Sequence, residues 1–147
     1  MRHSVQREVQ FDAGHRVPNH ASKCRNPHGH RYRVVVSFTG PLVTKDTASD
    51  FGMVVDFGMM SAMLRQHVHD PYDHGMIVWE HDMALRDALA GHGWHVVVVP
   101  FVPTAENLAS HLFATLSEAC AAEWGGNVMV ESVQVYETPT GVAMVTA

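Results

Sequence analysis

The chain has 147 residues, of which 46% are apolar, enough to build a core in one domain without disulfide staples. Ten basic residues stand against fifteen acidic ones, a net charge of −5, which argues against an electrostatic nucleic-acid binder and leaves anionic partners to a local pocket. No apolar run approaches the roughly 20 residues that span a bilayer, the amino terminus lacks the apolar run of a signal peptide, and two cysteines make no disulfide framework, so a soluble, cytoplasmic protein without a membrane partner is expected. Twelve histidines outnumber the lysines and arginines together. No internal repeat, low-complexity tract or long linker divides the chain, and residues 1–147 are read as a single domain.

From Val5 the apolar residues fall on odd positions, Val5, Val9, Phe11 and Ala13, the period-two pattern of a half-buried strand, and His15 shares their parity. A polar loop with Pro18, Asn19, Ser22 and Pro27 follows. A second strand carries Tyr32, Val34, Val36 and Phe38 on even positions, with His28 and His30 continuing that face. After Thr39-Gly40-Pro41 comes a turn-rich connection to Gly52. Asp56 caps a predicted helix with the stripe Met60, Met63, Leu64, His67 and Val68, which Pro71 is expected to stop. Asp82 caps a short helix through Leu85 and Leu89 that Gly91 and Gly93 end, and residues 96–99 read as a brief buried strand. Thr104 caps a helix with the stripe Leu108, Leu112, Leu116 and Ala119, ending at Gly125-Gly126. Residues 128–136 and 142–146 close the chain as two strands about the turn Thr138-Pro139-Thr140-Gly141. Strand pairs at both ends with helices between them favour an α+β fold, an antiparallel sheet with helices on one side.

His28-Gly29-His30 enters a strand, where residues two apart point to one face and offer two imidazoles to one metal. His15 supplies a third if the first two strands pair as a hairpin, and three histidines leave a tetrahedral zinc one open position, the arrangement of a catalytic rather than a structural ion. Cys24 lies in the intervening loop between Lys23 and Arg25, where positive charge and a metal favour the thiolate; the alternative is that it closes the site as a fourth ligand. Cys120, among alanines on an apolar helix, reads as a small core residue. In Asp73-His74 a carboxylate can hold an imidazole in one tautomer if the pair sits in a turn or helix start. Glu137, at a strand end, can receive two parallel hydrogen bonds from the amidine-like edge of a flat ligand. Glu106 favours the first turn of its helix through the dipole. His20, close to the proposed centre, stays open; no other histidine stands out.

Six segments taken in order resemble the 6-pyruvoyl-tetrahydropterin synthase family, which includes 6-carboxy-tetrahydropterin synthase. They are Phe11-Asp12-Ala13-Gly14-His15-Arg16, Cys24-x3-His28-Gly29-His30, Val55-Asp56-Phe57, Asp73-His74, Pro103-Thr104-Ala105-Glu106-Asn107 and Tyr136-Glu137-Thr138. The resemblance implies a tunnelling fold, in which the four antiparallel strands of each subunit join those of its neighbours in a barrel, two trimers stack as a homohexamer, and active sites lie between subunits. It implies zinc on His15, His28 and His30, Cys24 as general base, Asp73 and His74 as a proton relay reaching in from a neighbouring subunit, Glu137 as the pterin anchor, and Thr104 and Glu106 near the pterin.

The implied substrate is the small molecule 7,8-dihydroneopterin triphosphate, processed without nicotinamide or flavin, with Lys23, Arg16, Arg25 or Arg31 meeting the triphosphate. Three residues between Cys24 and His28 resemble the bacterial 6-carboxy type of queuosine and 7-deazapurine synthesis, a synthase releasing triphosphate and acetaldehyde. The alternatives are the 6-pyruvoyl reaction on the same substrate and a non-catalytic zinc- or pterin-binding module. A zinc hydrolase is disfavoured, since no His-Glu-x-x-His run is present. The chain departs from the family pattern at Tyr72, Ile77 and Val78, and by 29 residues between His74 and Thr104, within which the stretch Trp79 to Phe101 is expected to reshape the pocket rim.

Overall fold

The two period-two segments pair as expected, and their register is what builds the site. In the computed structural model, which describes residues 1–147, β1 (His3–His15) and β2 (His28–Gly40) run antiparallel with His15 opposite His28 and Phe11 opposite Tyr32. Their buried faces are those the parity predicts: Phe11, Ala13 and His15 on β1, and Tyr32, Val34, Val36 and Phe38 on β2. β2 also pairs antiparallel with β5 (Met129–Thr138), and β5 with β6 (Gly141–Thr146), which gives the expected four-stranded antiparallel core.

Two further strands make the sheet six-stranded and mixed, in the order β4-β3-β1-β2-β5-β6. The short β3 (Gly75–Trp79) runs parallel to β1, and β4 (Val96–Val99) runs parallel to β3, with α3 (Met83–Leu89) connecting the two. β4 lies where the sequence places it but is not the buried strand expected: at the edge of the sheet only Val99 is buried and Val98 is exposed. β3 does not stand out in the sequence because Gly75-Met76-Ile77-Val78-Trp79 has no alternation: Ile77 and Val78 are both buried, as in a covered parallel strand.

The helices pack on one side of the sheet. Asp56 caps α1 (Phe57–Leu64) by accepting from the Gly58 N–H, and Thr104 caps α4 (Ala105–Trp124) by accepting from the Asn107 N–H, while Gly125 ends α4 in the left-handed conformation. Met60, Met63 and Leu64 of α1 and Leu108, Leu112 and Leu116 of α4 close the core over Val34, Val36, Val133 and Val135. Cys120 is buried there with its sulfur 3.8 Å from that of Met63, and burial pushes its thiol up to about 12.

Pro71 does not stop the first helix. After α1 the chain widens into a π-helical turn, Arg65–His69, and continues into a last α-turn, α2 (Asp70–Tyr72), where Pro71 occupies an opening position that tolerates a missing N–H. No helix is long and apolar enough to cross a membrane.

Candidate functional site

The end of the β1–β2 ladder delivers three imidazoles to one point. The Nε2 atom of His15 lies 3.2 Å from that of His28 and 3.2 Å from that of His30, and the three rings form a cluster whose ligand atoms all fall within 4.8 Å. Tyr32, stacked on Phe11, underlies them with its ring edge-on to His15 and His30.

Two of the rings are fixed by backbone carbonyls. His15 Nδ1 donates to the Pro103 carbonyl at 2.6 Å and His28 Nδ1 to the Asn26 carbonyl at 2.7 Å, so in their neutral forms both present a bare Nε2 lone pair to the common point. Burial, aided by the fields of His28 and His30 and opposed by the Pro103 carbonyl, lowers the pKa of His15 to about 4. His30 is shifted down by the same burial and by His28. Facing lone pairs at 3.2 Å repel unless a cation lies between them. A tetrahedral zinc with bonds of about 2.0–2.1 Å sets its nitrogens about 3.3–3.4 Å apart, so the donor set fits such an ion in chemistry and in the two separations from His15. Cys24 is not part of this cluster.

The rings open into a cavity of about 740 Å³ walled by Cys24, Lys23, His20 and Asn26 on one side and by Thr104, Glu106 and Glu137 on the other. Cys24 sits on a single 3-10 turn, Lys23–Arg25, partly exposed to the cavity. Glu137 comes from β5, at an irregularity in its pairing with β6 between Tyr136 and Thr138, a bulge of the kind that re-aims a side chain. Its carboxylate stands 3.7 Å from His15 Nε2, and its pKa is raised by burial and by the nearby Glu106 carboxylate, against the opposing field of His28. Thr104 and Glu106 belong to the amino-terminal turn of α4, whose dipole favours negative charge at the cavity wall.

Asp73 and His74 lie elsewhere. They occupy the turn between α2 and β3, and His74 borders a separate groove with Asp12, Gly29 and Arg31, joined to the first cavity only through His30. His74 has a positive φ of 58°, uncommon for a residue with a side chain, and its Nδ1 is 2.8 Å from Asp73 Oδ2. The Asp12 carbonyl accepts from the His74 N–H at 2.7 Å, and the Asp12 N–H donates to Asp73 Oδ1 at 3.1 Å.

The four candidate cations separate. Arg16 makes a bidentate pair with Asp82, the capping residue of α3, and Arg31 makes one with Asp12 at 2.9 and 3.0 Å, which removes both from the cavity. Of the four, only Lys23 lines the cavity wall. Residues 79–101 do not border the cavity either; they form α3 and β4, pairing with Arg16 through Asp82 and with the Asp73 carbonyl through His95. The carbonyls of Pro103 and Asn26, which orient the His15 and His28 rings, have no side-chain signature and could not be read from the sequence.

The sequence profile described as 6-pyruvoyl tetrahydropterin synthase matches residues 4–147. The chain is 34% identical over 138 residues to a Rickettsia bellii protein named 6-carboxy-5,6,7,8-tetrahydropterin synthase, covering 90% of this chain and 92% of that one. It is also 34% identical over 139 residues to the Synechocystis protein of the same name, covering 95% and 89%. The structure of the Caenorhabditis elegans 6-pyruvoyl tetrahydropterin synthase superposes with a TM-score of 0.69 at 20% identity over 100% of this chain and 96% of that one, which establishes the shared tunnelling fold. With three imidazoles at the end of the β1–β2 ladder and a family match running from residue 4 to the last residue, this chain belongs to the 6-pyruvoyl tetrahydropterin synthase family.

Proposed function

We propose that the protein is a zinc-dependent 6-carboxy-5,6,7,8-tetrahydropterin synthase, a single-domain enzyme that converts 7,8-dihydroneopterin triphosphate to 6-carboxytetrahydropterin with release of triphosphate and acetaldehyde. The observation that carries this reading is the convergence of three imidazole Nε2 atoms on the cavity that Cys24 and Glu137 also line. The names of the relatives and the three-residue interval between Cys24 and His28 support the carboxy product over the pyruvoyl one.

His15, His28 and His30 would hold the zinc, which when bound supplies Lewis acidity to the oxygens of the substrate side chain. Glu137 anchors the pterin by accepting two parallel hydrogen bonds from its amino-pyrimidine edge, which favours the carboxylate form that burial disfavours. Thr104 and Glu106 flank that edge. Cys24 takes a proton from the side-chain carbon, and Lys23 faces the triphosphate as the remaining cation of the wall. Asp73 and His74 return protons to the substrate. Because their groove is distinct from the cavity within one chain, they reach the cavity of a neighbouring copy in a homohexamer of the family type, and queuosine synthesis in the cytoplasm is the setting of this activity.

The test is product analysis of zinc-loaded protein incubated with 7,8-dihydroneopterin triphosphate. The expected products are triphosphate, acetaldehyde and a pterin with the mass of the 6-carboxy compound, all abolished in Cys24→Ala. A pterin with the mass of the 6-pyruvoyl compound reassigns the product. Absence of turnover in the wild type and in Cys24→Ala alike leaves a zinc- or pterin-binding module.

A further inference from the structure

Asp73 stands between two imidazoles, hydrogen-bonded to one and close to the other. Its Oδ2 is 2.8 Å from His74 Nδ1 and 3.7 Å from Nε2 of His69, whose other nitrogen, Nδ1, is 2.8 Å from Asp70 Oδ1. The four side chains alternate carboxylate and imidazole from exposed Asp70 to exposed His74, with Asp73 between them mostly covered.

The backbone that holds this row is unusual at both ends. His69 closes the π-helical turn Arg65–His69, a rare one-residue expansion of a helix that recurs at functional sites, and its carbonyl accepts from the Asp73 N–H at 2.8 Å. His74 closes the other end in its left-handed conformation. Between them, Asp73 Oδ1 is occupied by the Asp12 N–H at 3.1 Å, which leaves Oδ2 to the two rings, and the Asp73 carbonyl receives His95 Nδ1 at 3.3 Å.

We propose that His69 is the outer imidazole of a four-residue proton relay, Asp70–His69–Asp73–His74, through which the Asp73–His74 pair exchanges protons with bulk water. The inference rests on the reading of that pair as a proton carrier, and it assigns His69 a role through Asp73, without contact to substrate. The tautomers run in the required direction. Because Asp70 accepts from Nδ1 of His69, the neutral ring has its bare Nε2 toward Asp73, the acceptor needed for an outgoing proton.

A proton taken by His74 at Nε2 releases the Nδ1 proton to Asp73 Oδ2. From there it passes through one bridging water molecule across the 3.7 Å gap to His69 Nε2, and the Nδ1 proton of His69 leaves to Asp70 or water. No electrons are exchanged, and the reverse passage, which returns a proton to the substrate, restores both tautomers. Neither carboxylate of the row pairs with an arginine. Of Arg7, Glu8 and Arg65, which border the groove at His69, Glu8 pairs with Arg33 at 3.0 Å and Arg7 donates to Ser61 at 2.8 Å, while Arg31 is held by Asp12. The Asp12 N–H, the His74 hydrogen bond and the nearby His69 hold the Asp73 carboxyl below the usual carboxylate range, so it serves as a transient carrier.

The experiment compares His69→Gln, which retains a donor for Asp70 but cannot carry a proton, with the wild type in the zinc-loaded enzyme turning over 7,8-dihydroneopterin triphosphate. The expected result is a kcat lowered roughly five- to tenfold at unchanged KM, a larger solvent deuterium isotope effect, and recovery of the rate on addition of free imidazole. Asp70→Asn, which frees the His69 ring without removing it, should show a smaller loss with the same rescue. The proposal is overturned if His69→Gln matches the wild type in all three readouts, or if its rate falls without imidazole rescue while Asp70→Asn is unchanged. His74→Asn separates the two levels: if it turns over normally, the reading of the pair itself fails, and if it is inactive while His69→Gln is normal, only the role of His69 fails.

Discussion

His15 is 2% exposed, and its Nδ1 is committed to the Pro103 carbonyl, so its proton balance is coupled to folding. Its pKa of about 4 in the native state lies below the value of about 6.5 expected in the unfolded chain. The unfolded state therefore binds the proton more readily, and stability contributed by the neutral ring is full above about pH 6.5, is lost as pH falls through the window, and is gone below about pH 4. The difference amounts to about 3 kcal/mol for the metal-free protein. Urea unfolding of chelator-treated protein at several pH values should show this decline, and His15→Phe, which removes the titration, should flatten it. An equally steep decline in His15→Phe assigns the acid sensitivity to other groups. At neutral pH the same neutral lone pair is available to a metal, so loss of any one of His15, His28 or His30 should lower zinc content measured by elemental analysis, with Cys24→Ala retaining it.

At the scale of elements, the site depends on the short loop before α4 as much as on the strands. Thr104 caps α4 through its hydroxyl, and the preceding Pro103 carbonyl holds His15, so one turn serves both the helix and the imidazole cluster. Thr104→Ala should cost about 1 kcal/mol in unfolding free energy, and Thr104→Ser should recover most of it. If the loop also sets the His15 ring, Thr104→Ala lowers zinc affinity in a competition titration while Thr104→Ser does not; equal affinity in both confines Thr104 to capping. Parity was enough to bring His15, His28 and His30 to one face, because alternation in a strand is strict and the β1–β2 register follows from their buried faces. The caps at Asp56, Asp82 and Thr104 were legible for the same local reason. What could not be read were features set by distant partners. β3 lacks alternation because it is covered on both faces; the π-turn that carries the chain past Pro71 has no composition of its own; and the pairing of Arg16 with Asp82 joins residues 66 positions apart. Cys24 and Glu137 were singled out from their neighbours in sequence, but the cavity that unites them with the three rings is formed by the hairpin loop, the β5 bulge and the α4 start together.

At the scale of the whole molecule, the placement of Asp73 and His74 has the largest consequence. One chain presents the three rings, Cys24 and Glu137 to one cavity, and His74 to a groove on the other side of His30, so His74 does not line the cavity bearing Cys24 in the same chain. If the pair completes a neighbour's cavity, Cys24→Ala and His74→Asn damage different contributions to each shared site. Mixed assemblies should then complement each other. Each variant alone should be inactive, whereas the two unfolded together at equal amounts and refolded with zinc should form sites of which about a quarter join an intact Cys24 to an intact His74 from the neighbouring copy, with about a quarter of the wild-type rate. Mixing without subunit exchange should restore nothing, which controls for the small activity of either variant. Because every site drawing both residues from one chain stays defective in any mixture, the absence of recovered activity after verified co-refolding assigns Cys24 and His74 to a single chain and removes the neighbouring copy from the catalytic unit.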